Sequence, residues 1–380
     1  MPLDTHIAGK KTVAHWLDLR KSLLASPEDP AIWEEAYDFL YKRIHTRFLG
    51  PIDKILEIGA DCGEGHAAMA LQCILVEFLQ ALHEGLVYRS KPFPDEIDAK
   101  SKELGVEQEK LGQHKQPSEY SASAQLFKSF LTTHSPWKEV FKRRDVDYFF
   151  SHVRCGLLHE AATKKGSLVR AQKRDAPETV AERTSDGLVV YRTAFQKALL
   201  AWLGEYRGKL TEDRNLQQNF VRKMDDIAQI RRCWYFAYGS NMKEDRLKKR
   251  VKTHAIHRKY IGYLCDYKFS YNKKSKKDGS AMANIIAKDG ERVFGVCYEM
   301  DAAALEELQK YEGGYRRISV WCHSQKNVQD ELIDIECETF VSENTTSNMP
   351  SREYVMMVLC GACEHGLPDD YVQQFLISDV

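Results

Sequence analysis

The chain has little that would draw it to a charged or an apolar partner. Its 55 Lys and Arg balance 55 Asp and Glu, so no strong global field attracts nucleic acid or a membrane surface. No apolar run approaches the ~20 residues needed to span a bilayer. The opening residues, Met1-Pro2-Leu3-Asp4-Thr5-His6, lack the basic and apolar regions of a signal peptide. The ten cysteines are not clustered. Most, including Cys73, Cys155, Cys265, Cys297, Cys322 and Cys337, sit inside apolar patterns, as reduced, buried thiols do. Only Cys360-Gly-Ala-Cys363 has redox or metal spacing, and a zinc site would need a second close pair. Those two cysteines are expected to pack on the buried face of a helix with Val358 and Leu359. The expectation is a cytoplasmic protein, off the membrane, with no metal and no organic cofactor.

What is present is length and two kinds of periodicity. A chain of 380 residues is too long for one ordinary core, and two domains are expected. Apolar content of 43% with 29% charged residues fits a globular protein. Residues 1–210 read as a helical bundle. Ile32, Ala36, Phe39, Leu40 and Ile44 share one helical face, and residues 66–83 form a longer, more apolar, central helix. Further helices are expected over 118–133, 138–162 and 191–207. A short hairpin is expected from 166–169 and 187–191. Residues 86–117, with three prolines and little periodicity, read as a surface excursion, and 211–232 as a charged linker helix.

From Trp234 the period changes to two. Strands are expected over 259–271, 283–287, 292–299, 316–323 and 331–341. Asp301 is placed to cap a helix bearing Leu305, Leu308 and Tyr311. Ser351 caps another that stops at Gly366, and Pro368 starts a last short one. Residues 233–380 therefore form a mixed α+β domain. Within it, Trp234-Tyr235-Phe236-Ala237-Tyr238-Gly239-Ser240-Asn241-Met242 is an apolar strand that stops at a glycine turn and opens into a charged helix. About seventy residues later comes Tyr311-Glu312-Gly313-Gly314-Tyr315. Backbone N–H groups in such a turn can hold an anion, and a lone carboxylate beside them can move a proton. Together they suggest an enzyme whose substrate has a carboxylate and a nearby amine or amide.

Residues 233–380 resemble the γ-glutamylcyclotransferase family. The resemblance is carried by Tyr238-Gly239-Ser240-Asn241-Met242, Val293-Phe294-Gly295-Val296-Cys297-Tyr298-Glu299 and Leu308-Gln309-Lys310-Tyr311-Glu312-Gly313. Pro350-Ser351-Arg352-Glu353-Tyr354 and Gly361-Ala362-Cys363-Glu364-His365-Gly366-Leu367-Pro368 add to it. It implies a barrel-like α+β fold and a small γ-glutamyl substrate whose α-amine attacks its own γ-carbonyl, giving 5-oxoproline and a free amine. It implies Glu312 as general acid and base, and the amides of Gly239, Ser240 and Asn241 as the holder of the carboxylate or oxyanion. Tyr238 and Tyr315 fall where the family supplies hydroxyls. Another family tyrosine, on the last strand, is here Phe340.

The helical half holds two further motifs. Residues 55–65 (Ile-Leu-Glu-Ile-Gly-Ala-Asp-Cys-Gly-Glu-Gly) imitate the glycine loop of a methyltransferase, but no parallel sheet follows, so a helix-to-helix turn is expected. Arg154-Cys155-Gly156-Leu157-Leu158-His159 resembles the Arg-and-His mark of the HEPN family. That resemblance implies an all-helical fold, pairing as a homodimer, and RNA cleavage without metal. Guanidinium would hold phosphate and imidazole would shuttle a proton. Lys142-Arg143-Arg144 and Lys164-Lys165 flank the motif. Cys155 stands where that family often has a polar residue, and a core helix with a salt-bridged Arg and a hydrogen-bonded His is the plain alternative. Three functions follow: a cyclotransferase with a helical accessory domain, an RNA-cleaving or RNA-binding effector, and a catalytically silent interaction protein.

Overall fold

The computed structural model describes residues 1–58, 63–251, 256–326 and 331–377. It divides into two compact units, Met1–Arg89 with Ser118–Gln229, and Ser90–Pro117 with Ile230–Val380.

The first unit is built on the helix Glu64–Glu84, which starts after Gly63 and stops at Gly85, both left-handed. Its Ala68, Met69, Cys73, Val76, Leu79 and Leu82 are buried. This helix is long and apolar enough to cross a membrane by length and composition, against the expectation that no apolar run approaches that length. Gln72, Glu77 and Gln80 interrupt it, and most of it is buried in the unit. The motif at residues 55–65 falls partly outside the described residues, since 59–62 are not among them.

Three expectations for this half are corrected. Residues 211–232 are not a linker. The helix Arg214–Ile227 belongs to the first unit because Leu216, Phe220 and Met224, at i, i+4 and i+8, form a buried stripe. Trp16 Nε1 and Arg20 Nε both donate to Asp225 Oδ1, at 3.0 and 2.7 Å. The expected hairpin is a three-stranded sheet instead. Leu168–Arg170 runs parallel to Leu188–Tyr191, and Ala181–Arg183 flanks the latter antiparallel. The unit is thus not wholly α. Nor are residues 86–117 a single excursion. Val87–Tyr88 pairs with Glu119–Tyr120 in the first unit, whereas 90–117 belong to the second.

The second unit is a closed barrel of five strands: β1 (Arg232–Ala237), β2 (Ile256–Lys274), β3 (Ala281–Asp301), β4 (Arg316–Lys326) and β5 (Glu331–Val341). Around it the order is β3-β1-β5-β4-β2, with β2 closing onto β3. All pairs are antiparallel except β1 and β5, where Tyr235 lies opposite Glu338. The stretches expected as two strands, 283–287 and 292–299, are one bent strand. Register shifts in the β2–β3 ladder between Ala287 and Arg292, and again near Glu299, supply the bends that closure needs. Gly262 and Gly295 lie opposite each other in this ladder. A Cβ at Gly262 would be 2.5 Å from Cys322 Sγ, and one at Gly295 2.4 Å from Ala237 O, so bare backbone is required at both. Inside the barrel the thiols of Cys297, Cys322 and Cys337 meet, the first two 3.0 Å apart.

Residues 90–117 supply the helices Pro94–Leu104 and Gln108–Gln113. Lys100 pairs with Glu336 at 2.6 Å, Lys110 with Asp334 at 2.7 Å, and the His114 ring packs 4.5 Å from that of Trp321. The charges that read as solvated surface are matched to acids on β5.

Asp301 does stand at the N-cap of Ala302–Tyr311, but its carboxylate bonds His257 Nε2 at 2.9 Å and makes no cap bond. Ser351 caps Arg352–His365 by accepting from the Tyr354 N–H. On that helix Val358, Gly361 and Ala362 are buried while Cys360 and Cys363 are exposed, the reverse of the packing expected for the two thiols.

Candidate active site

The strand β1 is apolar on both faces because both are covered, with Trp234 through Tyr238 buried at successive positions. It delivers Tyr238 and Gly239 to the barrel rim, where Ser240–Met242 form a single 3₁₀ turn, the Met242 N–H donating to Gly239 O at 2.9 Å. Helix Glu244–Val251 follows. The turn is packed from behind by helix Arg352–His365 through Gly361. A Cβ there would be 2.6 Å from Lys243 N and 2.8 Å from Met242 Cβ. Tyr298 OH and His365 Nε2 both lie within hydrogen-bond distance of Met242 O.

Glu312 arrives from the far side of the same rim. It is the C-cap of helix Ala302–Tyr311, and Gly313-Gly314 then turn the chain into β4, with Gly314 at φ +88°. The two motifs meet at a cleft of about 330 Å³, lined by the turn, the Glu312–Tyr315 corner, Lys273 at the end of β2, Ser275, Lys276 and Lys277 of the β2–β3 connection, and Phe340.

Within the cleft Glu312 is held by two groups. Its Oε1 accepts from Arg250 Nη1 at 2.6 Å and from Asn241 Nδ2 at 3.0 Å. Arg250 also donates to Asn241 Oδ1 at 2.8 Å, and Asn241 Nδ2 lies 2.9 Å from Tyr235 OH. The side chains of both Glu312 and Arg250 are largely buried. The second oxygen of Glu312, Oε2, has no hydrogen-bond partner among the described residues. One carboxylate oxygen is pinned and the other is open.

The tyrosine hydroxyls behave differently from expectation. Tyr238 OH donates to Phe340 O, and Tyr315 OH donates to Ala283 O at 2.6 Å. Their protons are committed within the protein, so both line the cleft without offering a free O–H donor. Tyr354 OH accepts from Ala283 N at 3.1 Å. Burial pushes the phenols of Tyr235, Tyr238, Tyr315 and Tyr354 up, and Glu312 adds to this in each case. They stay neutral at physiological pH. Phe340, at the departure from the family pattern, packs 5.6 Å from the Tyr235 ring and keeps that end of the cleft apolar.

The structure thus brings Tyr238, Gly239, Ser240, Asn241, Glu312 and Tyr315 to one cleft. It adds Tyr235, Arg250, Lys273 and Tyr354, which sequence reasoning missed. Arg250 lies nine residues past Asn241 on a charged helix, where one cation among many gives no signal. Lys273 lies near the end of β2 beside several other lysines, where one cation among many again gives no signal.

Arg154 and His159 are not brought together. The Arg154 guanidinium bonds Glu77 from Nε and Nη2, at 2.8 and 2.7 Å, bonds Ser123 Oγ at 3.1 Å, and stacks over the Phe150 ring. Burial pushes the Glu77 carboxyl up, and Arg154 opposes that. His159 is exposed on the last turn of the six-residue helix Cys155–Glu160. No hydrogen bond or ion pair joins the two among the described residues. Lys142, Arg143 and Arg144 are exposed.

Residues 292–375 match the AIG2-like family. Over 144 residues the chain is 29% identical to γ-glutamylcyclotransferase of Homo sapiens, spanning 37% of this chain and 75% of that one. Over 141 residues it is 30% identical to γ-glutamylcyclotransferase of Bos taurus, spanning 36% and 73%. The solved structure of a γ-glutamyl cyclotransferase matches at 28% identity with a TM-score of 0.34, over 38% of this chain and 86% of that one.

Proposed function

The chain belongs, through its barrel unit, to the γ-glutamylcyclotransferase family, and from that premise we propose that it cyclises a γ-glutamyl compound to 5-oxoproline with release of an amine. The observation that carries this reading is Glu312, held through Oε1 by Arg250 and Asn241 with Oε2 open in the same cleft as the Gly239–Asn241 turn. The amides of Gly239, Ser240 and Asn241 hold the substrate's α-carboxylate, which sets its α-ammonium against Glu312. Oε2 takes a proton from that ammonium. The freed amine attacks the γ-carbonyl carbon, a ring C–N bond forms, and the amide C–N bond breaks. That proton passes from Oε2 to the departing nitrogen as the bond breaks, and Oε2 then takes the second surplus proton from the ring nitrogen and hands it to the released amine, which leaves as an ammonium. Substrate and products balance with no co-reactant. Arg250 keeps the carboxylate in one orientation through both transfers, which is the positioning on which such catalysis depends.

The test is incubation of the purified 380-residue chain with a panel of γ-glutamyl compounds, followed by mass spectrometry for 5-oxoproline. Release that is lost in Glu312→Gln supports the reading, and no release from any compound overturns it. The ribonuclease reading has no supporting contact, since the Arg154 guanidinium is already occupied by Glu77 and Ser123.

A further inference from the structure

Lys273, near the end of β2, is 97% buried, with only 3% of its surface exposed. It lines the cleft. Its Nζ lies 4.7 Å over the Tyr315 ring and 3.8 Å from Met282 Sδ. No carboxylate or other oxygen pairs with it among the described residues. Glu312, the one acid lining the cleft among the described residues, is paired with Arg250 through Oε1 and makes no ion pair with Lys273. Burying an ammonium without an anionic partner is costly, and a ring face and a thioether recover only part of that cost. Lys273 is therefore a cation in the cleft wall that makes no ion pair among the described residues, with Glu312 attracting it only at a distance.

It is not alone. Lys276 and Lys277 line the outer part of the cleft and are exposed there. Lys276 reaches over the Gly313-Gly314 turn, where its Nζ would lie 3.5 Å from a Cβ on Gly313. Lys273, Lys276, Lys277 and Arg250 against Glu312 leave the lining with a formal charge of +3. In the cyclisation reading the turn amides take the α-carboxylate, Glu312 takes the α-ammonium and Arg250 is spent on Glu312. The three lysines remain for the other half of the substrate.

We infer that the Lys273–Lys277 wall selects γ-glutamyl compounds whose departing amine carries two or more anionic groups, such as an acidic amino acid or a γ-linked acidic peptide. This rests on the cyclisation reading and deepens it. A single carboxylate on the departing half would answer Lys273 and leave Lys276 and Lys277 idle. A second anionic group reaches them at the mouth. Burial pulls the Lys273 ammonium down from its ordinary value, Glu312 opposes this, and Lys276 adds to it. A bound anion reverses the effect, so the charged form is favoured once substrate is seated.

The experiment compares kcat/KM for γ-glutamyl-glutamate and γ-glutamyl-alanine in the 380-residue chain. The wild type should favour the former by about tenfold or more, as expected for one added charge-assisted contact. Lys273→Met should lower turnover of both. The double variant Lys276→Ser, Lys277→Ser lies outside the core, and its folding is checked by circular dichroism. In it the ratio should fall towards one. High salt should shrink the wild-type ratio in the same direction, because the outer lysines are exposed. Calorimetric binding of both dipeptides to Glu312→Gln should show the same preference without turnover. 5-Oxoproline released at a ratio near one or below, or a ratio unmoved in the double variant, overturns this inference alone. No release from any γ-glutamyl compound overturns the cyclisation reading and this inference with it.

Discussion

Arg250 and Glu312 lie 62 residues apart and meet at 2.6 Å in the wall of the cleft, with Asn241 bonded to both. This triangle ties the glycine turn to the acid. One consequence is that the carboxylate cannot rotate freely, and its open oxygen faces one place.

Glu312→Gln keeps the shape of the side chain and removes the base. Losing a positioned acid–base group should cost roughly 10²–10⁴-fold in kcat. Binding should survive better, because the turn amides are untouched. The measurement is 5-oxoproline release, with calorimetry for binding. Turnover at the wild-type rate would remove Glu312 from the mechanism.

Arg250→Lys keeps the charge but not the planar fork that reaches Glu312 and Asn241 together. We expect a fall in kcat of about tenfold, and about a hundredfold for Arg250→Ala, since misplacement of a reacting group costs on this scale. Unaltered kcat in Arg250→Ala would make the ion pair a structural one only.

Gly239 and Gly361 hold the turn from its two sides. A Cβ on Gly239 would lie 2.9 Å from Ala283 Cβ, so Gly239→Val should weaken substrate binding more than it slows the chemical step. Gly361→Ala pushes the supporting helix from the turn at 2.6 Å and should destabilise the barrel unit by ~1–3 kcal/mol, as overpacking does. Denaturant midpoints and KM separate the two, and a Gly361→Ala protein of wild-type midpoint would show that the helix can retreat at no cost.

In the helical unit Arg154→Met should leave Glu77 unpaired in a largely buried place. The expected loss is ~3–5 kcal/mol of that unit's stability. His159→Ala, on an exposed side chain, should change stability little. RNA cleavage that needs no added metal and disappears in His159→Ala with the fold intact would restore the ribonuclease reading.

His134 packs against His83, Phe130 and Trp202 and bonds Gln80 Oε1 at 3.0 Å. Burial, with help from His83, Lys209 and Lys138, brings its pKa down to about 4. A depressed histidine is neutral in the folded state while its unfolded form takes a proton near pH 6.5. Stability is therefore full above pH 6.5 and falls as pH drops from there towards 4, by on the order of 1–3 kcal/mol. Urea midpoints at pH 7.5 and pH 5 test this, and His134→Gln should flatten the difference. An equal slope in that variant would assign the effect elsewhere.

The parts of this protein that local rules govern are legible in the chain. The Ser351 cap and the Gly366 stop depend on neighbours three or four residues away, and both stand where expected. The central helix at Glu64–Glu84 and the strand Trp234–Ala237 follow from periodicity. Glu312 and the Gly239–Asn241 turn are found in one cleft, as their chemistry suggested. Where expectation failed, a distant partner decided. Cys360 and Cys363 share a helix with Val358, but Gly361 and Ala362 turn inward because the turn at Met242 and Lys243 comes too close for a larger side chain. Residues 211–232 have the charge of a linker, yet Phe220 and Met224 find a core.

What the sequence by itself determined is the position of the cleft's pieces along the chain and the type of element that carries each. These follow from backbone propensity and side-chain period, which act over a few residues. Only the tertiary structure decided that Arg250 takes Oε1 and leaves Oε2 open, that Tyr238 and Tyr315 spend their protons on backbone carbonyls, and that Lys273 is buried without an anion. Hydrogen bonding, charge pairing and desolvation depend on which groups lie within a few ångströms, and here those groups come from strands and helices 30 to more than 100 residues apart. Barrel closure brings them together.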